Sequence, residues 1–530
     1  MTISNISNGE SLLSVRNKLN EAIGKLNDIV SVEDFGAVGD GVTDDTAAIQ
    51  AAIDAASVVR FPAGSYRLTS STYDASTNWR HHVIIPDDRS LIFDHQAKLV
   101  ATTPFASRAI ALLVRGSNVT IDGAQIEDGF NPGNPFLVGI GSGSGYDSSY
   151  PAGTLKNLRV LNSTFKNCWI SVSVQFASTD GGGKSFNDIQ VSCCTSYAKP
   201  NNTTSGNFNF RSEGPWKIGD VKISDCSAYD GYSASSFNFY GVDGFSVSNC
   251  ASYRNKYAGC EMENGSQDGV VSCFRSVDDF WGVWVDDSRR IVVDGVSHKT
   301  ISESVTGILG TQSRLRDALK VTQQGFTDYT TWETTDIVFS NVVSEFGKIT
   351  TVDFGVSAGG SIGRLTFNNV SIVQDGVARS SGNTSISVLE VPAYLTFNNV
   401  MVFGAPSVSF NMGTTGGKVR LTNVTTGTVA GETSVGIQAI GTGTLVLENV
   451  DTHSENISVS PIPTKINYTL AGVLQADVRA GQRFFYSVTG SPEGVLAAGP
   501  GSLAHRVDIG RLYVKESGTG NTGWLLVTAT

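Results

Sequence analysis

Apolar positions recur along this chain in three rhythms. The first is a heptad. Leu12, Val15, Leu19, Ala22, Leu26 and Ile29 are spaced 3, 4, 3, 4, 3, the a/d seam of a coiled coil. Ser11 or Asn8 can cap its start. A seam this short is marginal alone, so it is expected to associate with copies of itself. The alternative is one amphipathic helix packed on its own domain. The second rhythm has helical period: Ile49, Ala52, Ile53 and Ala56 share a face. Asp40-Gly41 turns the chain into it, and Thr43 or Asp44 is the expected cap. This helix then breaks into VVRFPAGSYRL, an alternating strand around a Pro-Ala-Gly turn.

The third rhythm is a six-residue unit, apolar-x-apolar-x-x-apolar or small. It starts at Val119, Leu158, Ile189, Val221, Phe245, Gly269, Ile291, Ile337, Leu365, Leu395, Val419 and Leu445, at steps of 22 to 46 residues. Short strands at such a period, separated by Gly and Asn turns, predict a parallel β-helix whose coils stack about 4.8 Å apart. The sixth position holds Cys194, Cys226 and Cys250, read as a buried ladder rather than disulfides. The fifth holds Asn162, Asn249, Asn341, Asn369, Asn399, Asn423 and Asn449, a residue that accepts the left-handed backbone of a tight corner. The expected fold is all-β: a solenoid with a short N-terminal helical segment and a small C-terminal β-rich module. Its parts are a helical stalk over 1–30, the β-helix entry and capping helix over 31–118, the parallel β-helix over 119–460 and the β-rich module over 461–530.

Composition narrows the partners. Fifty-eight glycines and only 16% charged residues suit a chain that turns often and pairs strands. A net charge of −11 argues against nucleic acid, which demands a basic surface. The first thirty residues hold no apolar run of signal-peptide length, and no segment is long enough for a membrane span. The seven cysteines include no CxxC spacing, so zinc is not expected. No cofactor is expected, although clustered carboxylates leave calcium open.

Residues 30–56, VSVEDFGAVGDGVTDDTAAIQAAIDAA, and the strand after them resemble the start of the pectate-lyase-like superfamily, bacteriophage tailspikes in particular. That resemblance implies a right-handed parallel β-helix whose open end the helix caps. It also implies a homotrimeric spike, joined to a phage tail or baseplate through its N-terminus. Such a spike binds a bacterial surface polysaccharide. It is made in the host cytoplasm and acts outside the cell as part of the virion. The first thirty residues and the last thirty, GSLAHRVDIGRLYVKESGTGNTGWLLVTAT, are similar to the terminal modules of phage tail proteins. The GHG and RIK of polygalacturonases and the RxPxxR of the main pectate lyases are absent.

A β-helix has no internal cleft, so chemistry is sought on an outer face. A second strand follows the first corner of four central coils: NFNFRSE from Asn207, SFNFYGV from Ser236, GCEMENG from Gly259 and GVWVDDS from Gly282. Period two sends Phe208, Phe210, Phe237, Phe239, Cys260, Met262, Val283 and Val285 inward. Asn209, Asn238, Glu261 and Trp284 then form one outward column, and Arg211, Tyr240, Glu263 and Asp286 the next. Glu261, Glu263 and Asp286 are expected on one exposed face, with Asp287 just beyond. Trp281, Trp284, Tyr240 and Tyr257 lie near enough in the pattern to stack on sugar rings, and Arg211 completes the substrate-binding set. Glycoside hydrolysis needs two carboxylates, one to protonate the leaving oxygen and one to attack or activate water. Glu263 is the expected acid, with Asp286 or Glu261 as its partner. Asp278, Asp279 and Glu213 are secondary candidates. A solvated acidic face and a cation site remain open, as do a polysaccharide lyase and a non-catalytic receptor-binding spike.

Overall fold

A computed structural model describes residues 14–16, 29–102, 108–129, 136–177, 183–198, 205–214, 217–232, 234–301, 304–307, 310–313, 316–322, 334–345, 347–351, 362–373, 386–388, 394–403, 408–411, 418–427, 435–440, 444–451, 456–460, 465–470, 473–479, 485–496, 498–506, 508–518 and 520–527. The heptad seam lies almost wholly outside the described residues. The chain forms two units, residues 1–257 and 258–530. Both are built from parallel strands stacked coil upon coil, in the right-handed parallel β-helix.

In unit 1 the helix is Thr46–Ala55, with Ile49, Ala52 and Ile53 fully buried, as the spacing predicts. Its start differs from expectation. Asp45 stands at the N-cap, and its carboxylate accepts instead from the backbone N–H of Val38 (2.7 Å) and Gly39 (3.2 Å). Asp44 accepts from the Thr46 N–H at 3.2 Å and from the Ser70 hydroxyl. The acidic pair therefore ties the preceding loop to the helix start.

Coils stack well before Val119. Ile29–Ser31 pairs with Val58–Phe61, which pairs with Ser90–Phe93, which pairs with Val119–Asp122. From there the six-residue units run in register: Val119 faces Leu158, then Ile189, Val221 and Phe245. Each coil adds a strand after the corner, such as Gln125–Asp128, and one in a second sheet, such as Phe136–Ser142. Inside, Phe208 stacks on Phe237 and Phe210 on Phe239, at 5.2 and 5.8 Å between ring centroids. Each fully buried ring of this kind contributes about 1.5–3 kcal/mol of transfer free energy. Cys194, Cys226 and Cys250 do form a buried ladder of free thiols. The backbone N–H of each of the first two donates to the sulfur of the next at 3.4 Å.

In unit 2 the register continues Gly269, Ile291, Ile337, Leu365, Leu395, Val419 and Leu445. Phe339, Phe367 and Phe397 stack inside at 5.0 and 4.8 Å. The corner asparagines behave as expected. Asn341, Asn369, Asn399 and Asn423 all have φ of 53–54°, as Asn162 and Asn249 do in unit 1 at 50–52°. Each amide donates to the one before it, Asn423 to Asn399 at 2.9 Å, and Asn341 ends the chain on the Asp294 carboxylate at 2.7 Å. The side chain of Asn449 lies outside the described residues. Pairing changes after Ser460. Lys465–Leu470 still runs parallel to Thr444–Asp451 but is antiparallel to Val473–Arg479. Leu503–Arg506, Arg511–Lys515 and Trp524–Leu526 then form antiparallel hairpins. Among the described residues no helix is long and apolar enough to cross a membrane.

Candidate functional site

The two carboxylate-bearing strands of unit 2 are Ala258–Glu263 and Trp281–Asp286. Their register sets Glu261 beside Trp284 and Met262 beside Val285, which carries Glu263 to Asp286 one rung away. The inward residues Cys260, Met262, Val283 and Val285 are fully buried, as period two predicts. The opposite face is not exposed, and this corrects the expectation. Glu261 and Asp286 are each 1% exposed, and Asp287, Trp281 and Trp284 are buried too. Only Glu263 is half-buried and reaches solvent. These strands are covered on both faces. The near-continuous run Trp-Gly-Val-Trp-Val is the signature of such a strand.

A third strand, Arg316–Thr322, supplies two residues that the sequence reading did not find. Its register places Lys320 beside Trp284 and Thr322 beside Asp286. The Trp284 indole N–H donates to the Thr322 hydroxyl at 2.6 Å, and that hydroxyl donates to Asp286 Oδ1 at 2.6 Å. Asp286 Oδ2 is buried and has no hydrogen-bond partner among the described residues. Burial pushes the Asp286 carboxyl well above the usual carboxylate range, and the charge of Asp287 adds to this. The Thr322 bond opposes the shift, Glu263 adds to it, and Lys320 opposes it. Since Oδ1 accepts from Thr322, the proton of the neutral acid belongs on Oδ2.

The tryptophans are not open sugar platforms. Their ring centroids stand 4.5 Å apart at 67°, and the Lys320 ammonium lies 3.7 Å from the Trp281 centroid and 4.6 Å from that of Trp284. The cation takes the faces that a pyranose would use. Asn264 sits beside Glu263, donating to its Oε2 at 3.4 Å, while its own Oδ1 is buried without a partner among the described residues.

Other expected residues have local partners. In unit 1, the Arg211 guanidinium covers the ring of buried Tyr240 at 4.2 Å and pairs with Glu213 at 2.9 Å. Tyr257 is half-buried. In unit 2, Asp279 is fully buried and accepts from the Ser276 hydroxyl at 2.7 Å, and the same hydroxyl meets His298 Nδ1 at 3.0 Å. Asp278 accepts from the Ile301 N–H at 2.7 Å. Both are tied into the coil interior or its corner. Among the described residues no three His, Cys, Asp or Glu side chains converge as a metal ion would require.

Residues 29–78 match the family described as rhamnogalacturonase A/epimerase, pectate lyase-like. Of the solved structures, the tailspike of Escherichia coli bacteriophage HK620 in complex with pentasaccharide aligns with a TM-score of 0.54. It is 9% identical, over 85% of this chain and 80% of that one. The likeness shows the right-handed parallel β-helix fold. Sequence relatives match in part. Mannuronan C5-epimerase AlgE5 of Azotobacter vinelandii is 64% identical over 44 residues, 7% of this chain and 4% of that protein. Plasmin and fibronectin-binding protein A of Streptococcus pneumoniae is 28% identical over 169 residues, 28% of this chain and 22% of that protein. The chain thus spans a small part of the curated relatives it matches. A double mutant of the same tailspike, with an aspartate and a glutamate replaced by alanine, was also solved with pentasaccharide and aligns with a TM-score of 0.51 at 10% identity.

Proposed function

We propose that this protein is a phage tailspike that binds and depolymerises a bacterial surface polysaccharide by glycosidic hydrolysis, with Glu263 and Asp286 as the carboxylate pair. The observation that carries the reading is the inequality of the pair. One carboxyl is buried, holds one oxygen in a Trp284–Thr322 relay and favours its neutral form. The other stands one rung away and reaches solvent. Two carboxyls with environments that push them apart are the arrangement an acid and its partner need. The roles are the reverse of those expected from sequence: Asp286 is the acid and Glu263 the ionised partner.

In this mechanism Asp286 gives its Oδ2 proton to the glycosidic oxygen as that bond breaks. Glu263 meets the developing cation at the anomeric carbon. The two residues lie on adjacent rungs, whose backbones stand about 4.8 Å apart, close enough for their carboxyls to flank one glycosidic bond. In this reading Glu263 attacks directly. The ester it forms is hydrolysed by water, from which Asp286 then takes a proton. Because Asp286 is 1% exposed, the covering layer must open locally when substrate binds. Glu261, beside Trp284 and 1% exposed, takes no part in this step.

The likeness of fold to a tailspike solved with a pentasaccharide supports a polysaccharide partner, and the heptad seam of the first thirty residues supports self-association. The test is polymer length after incubation with capsules or lipopolysaccharides from a panel of strains, read by size-exclusion chromatography with ultraviolet detection. Shortening without new ultraviolet absorbance, lost in Glu263→Gln and Asp286→Asn, is expected. Shortening with new absorbance would instead mark a lyase. Binding without shortening would mark a receptor-binding spike.

A further inference from the structure

We propose that unit 1 alone carries a binding subsite for an acidic sugar, formed by Tyr197 and Lys166 with Lys98, Gln125, Glu127 and Thr164. The strand after the corner of each coil alternates sharply here. Phe165, Ser196, Ala228 and Ser252 are fully buried. Their neighbours Lys166, Tyr197, Tyr229 and Tyr253 therefore point outward, and the register sets them in one column. The three tyrosines stack. Tyr197 and Tyr229 are 4.8 Å apart at 16°, and Tyr229 and Tyr253 are 4.7 Å apart at 8°.

Stacking holds each ring flat across the column. Tyr229 has a neighbour on both faces. Tyr197 is the last ring in its direction, since the next rung carries Lys166. One face of Tyr197 is used by Tyr229, the other is turned towards the lysine rung, and the residue is 41% exposed. The platform is fixed before any ligand arrives, so little side-chain entropy is lost on binding.

A cavity of about 150 Å³ opens on the rungs that lead up to Tyr197, lined by Lys98, Gln125, Ile126, Glu127, Thr164 and Lys166, with Tyr197 one rung beyond Lys166. Ligand pockets for drug-sized molecules run about 300–1,000 Å³, so this one holds a single sugar unit rather than a chain. Lys98 approaches Glu127 only to 3.9 Å, and Lys166 has no ion pair among the described residues. Two ammonium groups against one carboxylate leave a local positive charge on a chain of net charge −11. Gln125 and Thr164 supply hydroxyl partners. An aromatic face, a free ammonium and flanking amide and hydroxyl groups suit a uronate: its ring on Tyr197 and its carboxylate on Lys166. A neutral sugar would leave the ammonium unused.

The experiment uses the full chain carrying Glu263→Gln, so that no cleavage confuses the result. Galacturonate and glucuronate oligomers are titrated by calorimetry, and contact is mapped by saturation-transfer NMR, with cellotetraose as the neutral control. At least one uronate oligomer is expected to bind, with cellotetraose binding at least tenfold more weakly. Lys166→Gln should weaken the uronate tenfold or more, and Tyr197→Ala likewise. Lys166 is exposed, so its variant keeps the fold even if the tyrosine variant disturbs the stack. Absence of uronate binding, equal binding of cellotetraose, or binding indifferent to Lys166→Gln would each overturn the proposal.

Discussion

Replacing Asp286 by asparagine should make the protein more stable and less active at once. The carboxyl is 1% exposed, and its Oδ2 is buried without a hydrogen-bond partner among the described residues. Its folded-state proton affinity is raised by burial and by Asp287. An acid raised in this way stabilises the fold fully below its unfolded value near 3.8. That stability is lost as pH rises from there through the folded value, at about 1.4 kcal/mol per unit of difference. Asparagine has the same shape, stays neutral and keeps an oxygen for the Thr322 hydroxyl. Its amide can donate to the neighbouring carboxylates. Relief of one buried, poorly satisfied polar atom is worth about 1–3 kcal/mol at either pH. Titration of the aspartate adds to the gain at neutral pH, so the gain is larger there than near pH 4, where both forms are uncharged. Urea-unfolding midpoints of both proteins at the two pH values measure it. Depolymerase activity should fall by about 10²–10⁴, the usual contribution of a general acid. A variant that is less stable at neutral pH, or equally stabilised at both, would refute the assignment of a neutral buried acid. Retained activity would remove Asp286 from the chemistry.

Other outcomes follow from the same geometry. Glu263→Gln should lose activity by a similar factor but change stability by less than about 0.5 kcal/mol, since its side chain is half-exposed. Lys320→Met removes a cation that holds the Asp286 shift down, so the alkaline limb of the pH–rate profile should move to higher pH; an acid-ward move would contradict the arrangement. A thiol reagent should label two cysteines of the native protein, exposed Cys193 and Cys273, and reach Cys168, Cys194, Cys226, Cys250 and Cys260 only after denaturation. Asn399→Ala should destabilise by about 1–3 kcal/mol, since a Cβ residue without a polar tip is strained at φ 53°; Asn399→Gly should lose less.

The coil register was legible because a parallel ladder repeats the same chemistry at every rung. Leu365, Leu395 and Val419 announce themselves through the Asn at the fifth position of each unit. The site was legible only in part. The column joining Glu263 to Asp286 was readable, because period two fixes which residues share a face. Their burial was misread, because alternation says which residues point away from the core, not whether something else covers them. Trp284, a large apolar residue at an outward position, was the clue. Thr322 and Lys320 escaped because the step from Ile291 to Ile337 is 46 residues, which hides the strand between them. Ala-Leu-Lys-Val-Thr over 318–322 does alternate, and one rung of register would have placed it. The Tyr197–Tyr229–Tyr253 column is visible only once coil lengths are known.

The asparagine corner divides the labour of each coil between a place that cannot vary and places that can. Asn341, Asn369, Asn399 and Asn423 hold the same backbone angle and hand one amide bond along the ladder, whatever the coil contains elsewhere. The step from the start of one unit to the start of the next meanwhile ranges from 22 to 46 residues without shifting the pairing. Such a scaffold works as an interchangeable cassette. A whole coil can be duplicated or deleted at the corner, and a new loop grafted between corners, without renegotiating the core. Recognition can then diversify as fast as the surfaces it must match, while the spine that displays it stays inherited.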